Sequence, residues 1–410
     1  MKSPKIRFKG YEKDWEQRKL GELAEIKDSA RIPNNEWSDS GIPYIRASDI
    51  SSNNLNGVLF LKADVFESYQ KQTGSPAQGD VLFNGGGEIG KSILKRDNTP
   101  IYVQGGAVLY VRTSDSTLLD GEYLDVYFST ICAKKYIDVA SAGGTMKHFT
   151  LGPSKNMPIF YPIKVEQQKI GTYFRVVDNL ITLHQRKCEQ TKKLKKFMLQ
   201  KMFPKDGISE SEIRFEGFVN AWEQRKLKNY LEVSRKKNKD ESYGKENVLS
   251  VSGEYGIVNQ IEFQGRSFAG ASVENYGVVE CGDVVYTKSP LKSNPYGIIK
   301  TNKDKAGIVS TLYAVYKPRT NTDSEFVQIY FELDSRMNSY MHPLVNKGAK
   351  NDMKVSAENA LKGPVIFPEF EEQKKISQYF KSLDNLITLH QCKCDELQKI
   401  KKFMLQNMFV

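Results

Sequence analysis

The sequence EQQKIGTYFRVVDNLITLHQRKC, residues 166–188, returns almost unchanged as EQKKISQYFKSLDNLITLHQCKC at residues 372–394. Each copy continues to a second shared segment, KKFMLQKMF at 195–203 and KKFMLQNMF at 401–409. Eight consecutive residues, DNLITLHQ, are identical at 178–185 and 384–391, an offset of 206. The chain therefore contains a long internal duplication.

Apolar side chains in both copies recur at alternating steps of four and three residues. This spacing predicts an amphipathic helix with a heptad seam that packs on a partner helix. The 38 residues of each copy correspond to a rod of about 57 Å. The predicted helix-pair interface consists of Ile170, Phe174, Val177, Ile181 and His184 in the first copy, and Ile376, Phe380, Leu383, Ile387 and His390 in the second.

Length and composition restrict the class of protein. A chain of 410 residues is too long for one ordinary core and suggests two or three domains. No apolar run is long enough to span a membrane, and the basic start lacks the apolar segment of a secretory signal. Five cysteines without a CxxC pair indicate reduced thiols and a cytoplasmic protein. The net charge of +11 favours a polyanionic partner.

A second repeated element opens each half of the chain. IRFKGYEKDWEQRKL at 6–20 returns as IRFEGFVNAWEQRKL at 213–227. We expect Trp15 and Trp222 to pack in the cores, each at the start of a short helix. The chain is thus a tandem duplication, with a globular part at 1–160, a long helix at 161–203, a linker at 204–212, a second globular part at 213–367 and a second long helix at 368–410.

Between the repeated elements the two halves diverge but keep the same order of segments. β-type runs at 42–50, 79–83 and 101–111 have counterparts at 247–252, 282–286 and 308–316. Helical stretches at 119–133 and 324–336 follow, and then Gly-containing basic loops at 141–150 and 346–356. The predicted fold class is therefore α+β, with a similar plan in both globular parts.

The linker decides how the long helices pair. It is too short to return along a rod of this length, so we expect an antiparallel pair with one globular domain at each end and a pseudo-two-fold axis. DNA-binding dimers use such an axis to place two readers along the duplex. Because the globular parts have diverged, the two half-sites should differ and be separated by a gap that is not read.

These features resemble the specificity subunits of type I restriction–modification systems. The resemblance rests on the duplicated WEQRKL segments, on IPYIRASDI and GDVLF, on the basic loops and on the EQxKI…DNLITLHQ…KKFMLQ helices, and it covers the whole chain. It implies two target recognition domains that read a bipartite asymmetric site in double-stranded DNA, joined by a helical spacer. It also implies a subunit without catalysis or cofactor of its own.

The resemblance further implies the partners. Two adenine-N6 methyltransferase subunits would dock on the long helices and use S-adenosylmethionine, and restriction subunits would use ATP and Mg²⁺.

Candidate DNA contacts are polar and basic residues in the loops of the two globular parts. Arg and Lys side chains bind guanine edges or phosphates. The candidates are Arg46, Ser48, Lys91, Thr145, Lys147 and His148 in the first part, and Ser250, Lys288, Lys292, Asn294, Lys347 and Lys350 in the second.

One stretch fits parts of two enzyme motifs. GGGEIGKS at 85–92 fits the P-loop pattern with Lys91 as the phosphate lysine, but the segment after it is short and β-like where a P-loop opens a helix. The overlapping FNGGG at 83–87 fits the glycine turn of adenine methyltransferases, whose companion Asn/Asp-Pro-Pro-aromatic motif is missing. We expect a Gly-rich turn between strands.

Two other functions compete with DNA recognition. His184, Cys188, His390 and Cys394 would supply a tetrahedral zinc set, but an antiparallel pair centred on the histidines separates the cysteines by about 12 Å. A coiled-coil scaffold without DNA specificity is the remaining alternative. We expect the two histidines to mark the pseudo-axis.

Overall fold

The computed structural model describes residues 3–141, 147–205, 208–288, 294–347 and 353–410. The chain divides into two compact units that do not follow its linear halves. The first unit comprises Met1–Gln185 together with Gln391–Val410, and the second comprises Arg186–His390. Each unit therefore contains one globular part, the beginning of its own long helix and the end of the other long helix.

The globular part of the first unit is built on two four-stranded sheets. One is antiparallel in the order Ile26–Asp28, Val108–Val111, Val81–Asn84 and Ser92–Leu94; the other has the order Trp37–Ser38, Phe60–Leu61, Ile42–Ile45 and Tyr102–Val103. Its α-helices are Leu20–Leu23, Ala47–Ser51, Ala63–Thr73, Gly121–Phe128, Ile131–Ala140 and Leu151–Lys155, and its 3₁₀ turns are Asn34–Glu36 and Thr113–Asp115.

The second unit repeats the antiparallel sheet and varies the rest. Its four-stranded sheet has the order Leu231–Val233, Tyr313–Pro318, Val284–Thr287 and Ile299–Thr301. Three strand pairs accompany it: Leu249–Ser252 with Gly256–Asn259, Gly277–Val279 with Gly307–Val309, and Asn346–Lys347 with Met353–Lys354. The helices are Gln260–Gln264, Ser324–Tyr330 and Asp334–Met341, with 3₁₀ turns at Leu227–Asn229, Lys245–Asn247, His342–Leu344 and Asn359–Leu361.

The repeated WEQRKL segments form strands, which corrects the expected helix start. Glu16–Lys19 pairs antiparallel with Pro158–Tyr161, and Glu223–Lys226 pairs in the same way with Pro364–Phe367. A partner strand from just before the long helix satisfies the backbone, so tertiary pairing overrides the helical tendency of Glu, Gln, Arg and Lys. Trp15 and Trp222 are both 3% exposed and lie in the cores, as expected.

Several predicted strands and helices are divided into shorter elements in the structure, because the chain turns within them. The run at 101–111 splits at Gly105 and Gly106 into two strands, and 308–316 splits likewise. Residues 42–50 form a strand only to Ile45, and the helical stretches at 119–133 and 324–336 each consist of two helices. Helix Ala63–Thr73 was not predicted.

The two long helices are confirmed, and they run antiparallel within each unit. They span Lys164–Lys201 and Phe370–Asn407. In the first unit, Cys394 contacts the carbonyl of Ile181, and Lys401 Nζ lies 2.6 Å from Asp178 Oδ1. One residue number rises as the other falls, so the helices run in opposite directions.

The same contacts recur in the second unit at positions shifted by 206. Cys188 contacts the carbonyl of Ile387, and Lys195 Nζ lies 2.6 Å from Asp384 Oδ1. The predicted tandem duplication with antiparallel long helices is therefore confirmed. The pseudo-two-fold axis and the meeting of His184 with His390 concern both units together and stay predictions.

Part of the predicted seam packs on the globular core as well as on the partner helix. Ile170 and Phe174 belong to the core of the first unit, and Ile376, Phe380 and Leu383 to that of the second. The side chains of Val177 and Ile181 are buried, whereas His184, Ile387 and His390 are partly exposed.

Two residues after the end of each long helix, an aromatic ring inserts into the core that the helix reaches. The Phe409 ring centre lies 6.1 Å from that of Trp15, 5.6 Å from that of Tyr123 and 5.9 Å from that of Phe174. Phe203 contacts Trp222, Phe326 and Phe380 in the same way. Each globular part is thus fastened to both long helices.

Truncation of Phe409 should destabilise the first unit strongly. Phe409 is 8% exposed, and Phe409→Ala should lower the free energy of unfolding by about 3–5 kcal/mol through lost burial and an unfilled cavity. Phe403→Ala, six residues earlier on the same helix and 54% exposed, should change it by at most about 0.5 kcal/mol. Urea unfolding of both variants measures the difference, and equal losses would contradict this packing.

Two duplicated ion pairs fix the start of each half to the start of its long helix. Arg7 donates to both carboxylate oxygens of Glu166 at 2.7 and 2.8 Å, and Arg214 donates to both of Glu372 at 2.7 Å. Glu166 and Glu372 are fully buried, so removing either arginine would leave a buried charge uncompensated.

Candidate nucleic-acid interface

The glycine-rich stretch at 85–92 forms the turn of a β-hairpin. Strand Val81–Asn84 enters it and pairs antiparallel with Ser92–Leu94, which leaves it. The predicted turn between strands is confirmed, and the segment after Lys91 presents no helix N-terminus to a nucleotide.

Close packing explains the first glycine of this turn. The Gly85 carbonyl accepts a hydrogen bond from Phe149 N at 2.8 Å. A Cβ atom on Gly85 would lie 2.9 Å from the carbonyl oxygen of Phe149 and 2.7 Å from Leu109. The turn therefore holds residues 148–149 against its surface, with the exposed ring of His148 beside Gly86.

The turn borders an open groove of about 700 Å³ in the first unit. Helix Ile131–Ala140 and the long-helix residues Asp178, Ile181 and Thr182 form other walls, and Lys401 contributes from the second long helix. The structure brings the predicted residues Lys91 and Lys147 together at this groove with Lys134, which was not predicted. Thr145 lies outside the described residues.

Acidic side chains balance part of the positive charge of the groove. Lys147 pairs with Asp138 at 2.9 Å, and Lys401 pairs with Asp178 at 2.6 Å. Asp125 accepts a hydrogen bond from the Ser92 hydroxyl at 2.7 Å. Burial raises the pKa of the Asp125 carboxyl, and the hydrogen bond from Ser92 opposes that rise.

Arg46 and Ser48 lie on a short helix that packs against the same hairpin. Arg46 precedes helix Ala47–Ser51 and pairs with Asp49 at 3.3 Å, while Ser48 is exposed. The amide of Asn84 donates to the carbonyl of Ala47 at 3.0 Å. Because Asn53, just after this helix, also lines the groove, the predicted contacts of the first part cluster around one hairpin.

The structure describes the side chains of three of the six predicted contacts of the second unit, namely Ser250, Lys288 and Asn294. Ser250 lies in strand Leu249–Ser252 and accepts a hydrogen bond from Gln260, and Lys288 follows strand Val284–Thr287. Asn294 is 8% exposed, and its amide donates to Asp334 at 2.9 Å. Because this side chain is buried, we do not propose it as a DNA contact. Lys292 and Lys350 lie outside the described residues, and for Lys347 the structure describes only the backbone, in strand Asn346–Lys347.

A second candidate surface lies on the long helices, away from the seam. With the seam residues at heptad positions a and d, several exposed apolar residues fall at g and c, and four of them occupy equivalent positions in both units. We call each set an outer face: Leu180, Leu183, Ile400 and Phe403 in the first unit, and Leu386, Leu389, Leu194 and Phe197 in the second, all between 38% and 54% exposed.

Antiparallel pairing makes each outer face one surface. In such a pair the g positions of the two helices flank the same side of the seam. The contacts of Asp178 with Lys401 and of Ile181 with Cys394 place Leu180 at about the level of Ile400. The two faces correspond residue for residue at the offset of 206, so each unit presents an equivalent apolar surface.

The two cysteines considered as zinc ligands face backbone carbonyls. Cys188 Sγ lies 3.9 Å from the oxygen of Ile387, and Cys394 Sγ lies 3.6 Å from that of Ile181. Within the described ranges, no three His, Cys, Asp or Glu side chains form a metal-binding group. None of the helices described there combines the length and apolar character of a membrane span.

Comparison with known proteins finds similarity to one family. Residues 12–193 match the type I restriction modification DNA specificity domain. The MjaX type I restriction enzyme specificity subunit of Methanocaldococcus jannaschii is 24% identical over 95% of this chain and 91% of its own length. Residues 12–193 therefore carry a type I restriction modification DNA specificity domain, and the chain as a whole is similar to a type I restriction enzyme specificity subunit.

Two further comparisons agree with this similarity. A specificity subunit of Haemophilus influenzae, S.HindORF215P, is 26% identical over 40% of this chain and 41% of its own. The crystal structure of the type I S subunit of M. genitalium has the same fold, with a TM-score of 0.59 at 15% identity over 100% of this chain and 99% of that one. The chain therefore has the fold of that S subunit, and its residues 12–193 match a DNA specificity domain.

Sequence reasoning missed two groups of residues that the structure brings forward. Lys134 and Lys401 join Lys91 only through the fold, and no local motif marks them. The outer faces carried a signal, because Leu180 and Leu183 lie inside the identical DNLITLHQ segment but outside the a and d positions. Apolar residues repeated outside a seam indicate a second contact surface.

Proposed function

We propose that this chain is a specificity subunit that reads a bipartite, asymmetric DNA site and scaffolds two adenine-N6 methyltransferase subunits together with restriction subunits. The observation that carries the proposal is the contrast between the repeated contacts and the diverged surfaces. The helix contacts at Ile181–Cys394 and Asp178–Lys401 recur at the equivalent positions of the second unit. The turn of the first hairpin, GGGEIGK at 85–91, differs in sequence from KSPLKSNPYG at 288–297, which follows the equivalent strand of the second unit.

Half-site reading belongs to the diverged globular parts. In the first part we propose half-site contacts from Arg46, Ser48, Lys147 and His148, and from Thr145, which lies outside the described residues. Lys91 is proposed as a phosphate contact. Arg and Lys side chains form paired hydrogen bonds with guanine, and further lysines hold phosphates. In the second part we propose contacts from Ser250, Lys288, Lys292, Lys347 and Lys350.

The long helices set the distance between the half-sites. Their helical segments of 38 residues are about 57 Å long. We propose that this helical spacer corresponds to a gap of one length between the half-sites, with no required bases.

The two outer faces are the proposed docking sites for the methyltransferase subunits. An exposed apolar surface of several adjacent side chains marks a protein interaction site, and two equivalent surfaces fit two copies of one partner. The methyltransferase subunits would use S-adenosylmethionine, and the restriction subunits would use ATP and Mg²⁺. The assembly would work in the cytoplasm, on cellular DNA.

Sequencing of methylated adenines tests the proposal directly. The subunit is co-expressed with its methyltransferase subunit in a host that lacks adenine methylation. We expect methylation at two different short sequences separated by a constant gap of unspecified bases. A continuous site, or a palindrome, would contradict a bipartite reading by two diverged parts.

A further inference from the structure

One difference between the two units lies where the long helices meet the globular parts. The segments GEYLDVYFS at 121–129 and SEFVQIYFE at 324–332 are equivalent. Each follows an N-capping aspartate, Asp120 or Asp323, whose backbone N–H donates to a buried glutamine of the long helix. This equivalence places Ser129 at the position of Glu332.

In the second unit Glu332 completes a partly buried charge cluster. Lys195 Nζ lies 2.6 Å from Glu332 Oε1 and 2.6 Å from Asp384 Oδ1, and its side chain is 13% exposed. Lys300, 8% exposed, belongs to the same charge environment, and burial lowers its pKa. The lysine at this junction thus has two carboxylate partners.

In the first unit the equivalent lysine keeps only one of those two carboxylates. Lys401 pairs with Asp178, and its side chain is 30% exposed. Ser129, which stands in place of the glutamate, is exposed at the groove together with Lys91 and Lys134. The substitution removes one negative charge from the groove and leaves space beside three lysines.

Two lysines of the groove, Lys91 and Lys134, are available to bind an anion. Lys147 is paired with Asp138, and Asp125 is held by Ser92. Across the part of the chain that the structure describes, no carboxylate forms an ion pair with Lys91 or Lys134. Glu88, in the glycine turn, is the remaining acid at the groove. The lining carries four lysines and four acidic residues, so the groove as a whole has no excess of positive charge. The local feature that suits a phosphate-bearing chain is the pair Lys91 and Lys134, in an open groove of about 700 Å³.

We infer that this groove binds sugar–phosphate backbone of the unread DNA spacer, through Lys91 and Lys134 above Lys401. The inference rests on the proposed function and deepens it. Because Asp178, Ile181 and Thr182 of the long helix form one wall, the bound phosphates belong to the spacer side of the first half-site. The second unit, with Glu332 in place of Ser129, makes no equivalent contact.

Salt dependence of DNA binding by the intact methyltransferase complex tests this contact. The double variant Lys91→Ala, Lys134→Ala should reduce the slope of log Kd against log salt by about 1 to 2, because each lost phosphate contact removes about one released counterion. Discrimination between cognate and single-mismatch duplexes should stay unchanged. Lys303→Ala, an exposed lysine of the second unit paired with Glu325, should leave the slope as it is.

Ser129 offers a variant that keeps every lysine in place. Ser129→Glu introduces the carboxylate that the second unit has, and should weaken binding at low salt and lower the slope. Ser129→Gln introduces a neutral side chain of the same size as glutamate, and this variant should bind DNA as the parent does. Thermal unfolding of the two variants checks that both fold.

Three results would overturn the inference. They are an unchanged slope in the double variant, a change in base preference instead of slope, and binding of ATP alone that the double variant abolishes. The last would make the groove a nucleotide site. Failure of the parent complex to distinguish cognate from mismatched DNA would count against the proposed function instead.

Discussion

Exchange of the first globular part for that of another specificity subunit should change one half-site of the methylated sequence completely and leave the other intact. Residues 1–160 are the expected reading module, and the structure refines the cut. Strand Pro158–Tyr161 pairs with Glu16–Lys19, so the exchange should extend to residue 162 to keep both strands from one source. Sequencing of methylated adenines reads the result.

The globular part that is inserted must also pack against the long-helix ends of this chain, which the exchange does not replace. Phe174 and Phe409 pack against Trp15 and Tyr123 of the exchanged part, so a donor with aromatic residues at those places is required for folding. The reciprocal exchange of 213–367 serves as the control and should alter only the other half-site. A change in both half-sites, or in neither, would contradict separate reading.

Loss of one outer face should remove one methyltransferase subunit from the assembly. Phe403→Glu in the first unit and Phe197→Glu in the second each place a charge in the middle of an apolar contact, at a cost of about 2 kcal/mol or more, or roughly 30-fold in affinity. Each single variant should bind one methyltransferase subunit in place of two. The double variant should bind none and should not support methylation. Native mass spectrometry counts the subunits.

Neighbouring residues supply matched controls for these variants. Lys402→Glu and Lys196→Glu carry the same new charge one residue earlier, at heptad position b, and both positions are exposed. These variants should keep both methyltransferase subunits. Retention of two subunits by the Phe403→Glu, Phe197→Glu double variant would contradict docking on the outer faces. Because both phenylalanines are about half exposed, the variants should fold normally.

Much of the architecture could be predicted from local sequence. The helices Lys164–Lys201 and Phe370–Asn407 follow from a heptad pattern sustained over many turns, because such a pattern is stable only as a helix with a covered seam. Their duplication and the short linker predict antiparallel pairing. The core positions of Trp15 and Trp222 follow from their size and apolar character.

Short elements could not be predicted in the same way. EQRK became a strand because Pro158–Tyr161 and Pro364–Phe367 offer it backbone partners more than 130 residues away, and no local propensity reveals such a partner. The glycines at 85–90 look like a P-loop in sequence, and only the pairing of Ser92–Leu94 with Val81–Asn84 shows a hairpin.

The sequence by itself determined the duplicated plan and the long helices, because periodicity and repetition are properties of the chain. The tertiary structure decided which side chains meet. It divided each long helix between two cores, brought Lys91, Lys134 and Lys401 to one groove, and placed Glu332 on Lys195 where the first unit has Ser129 near Lys401. These residues lie far apart in the chain, and the free energy of their interaction depends on distances that only folding sets.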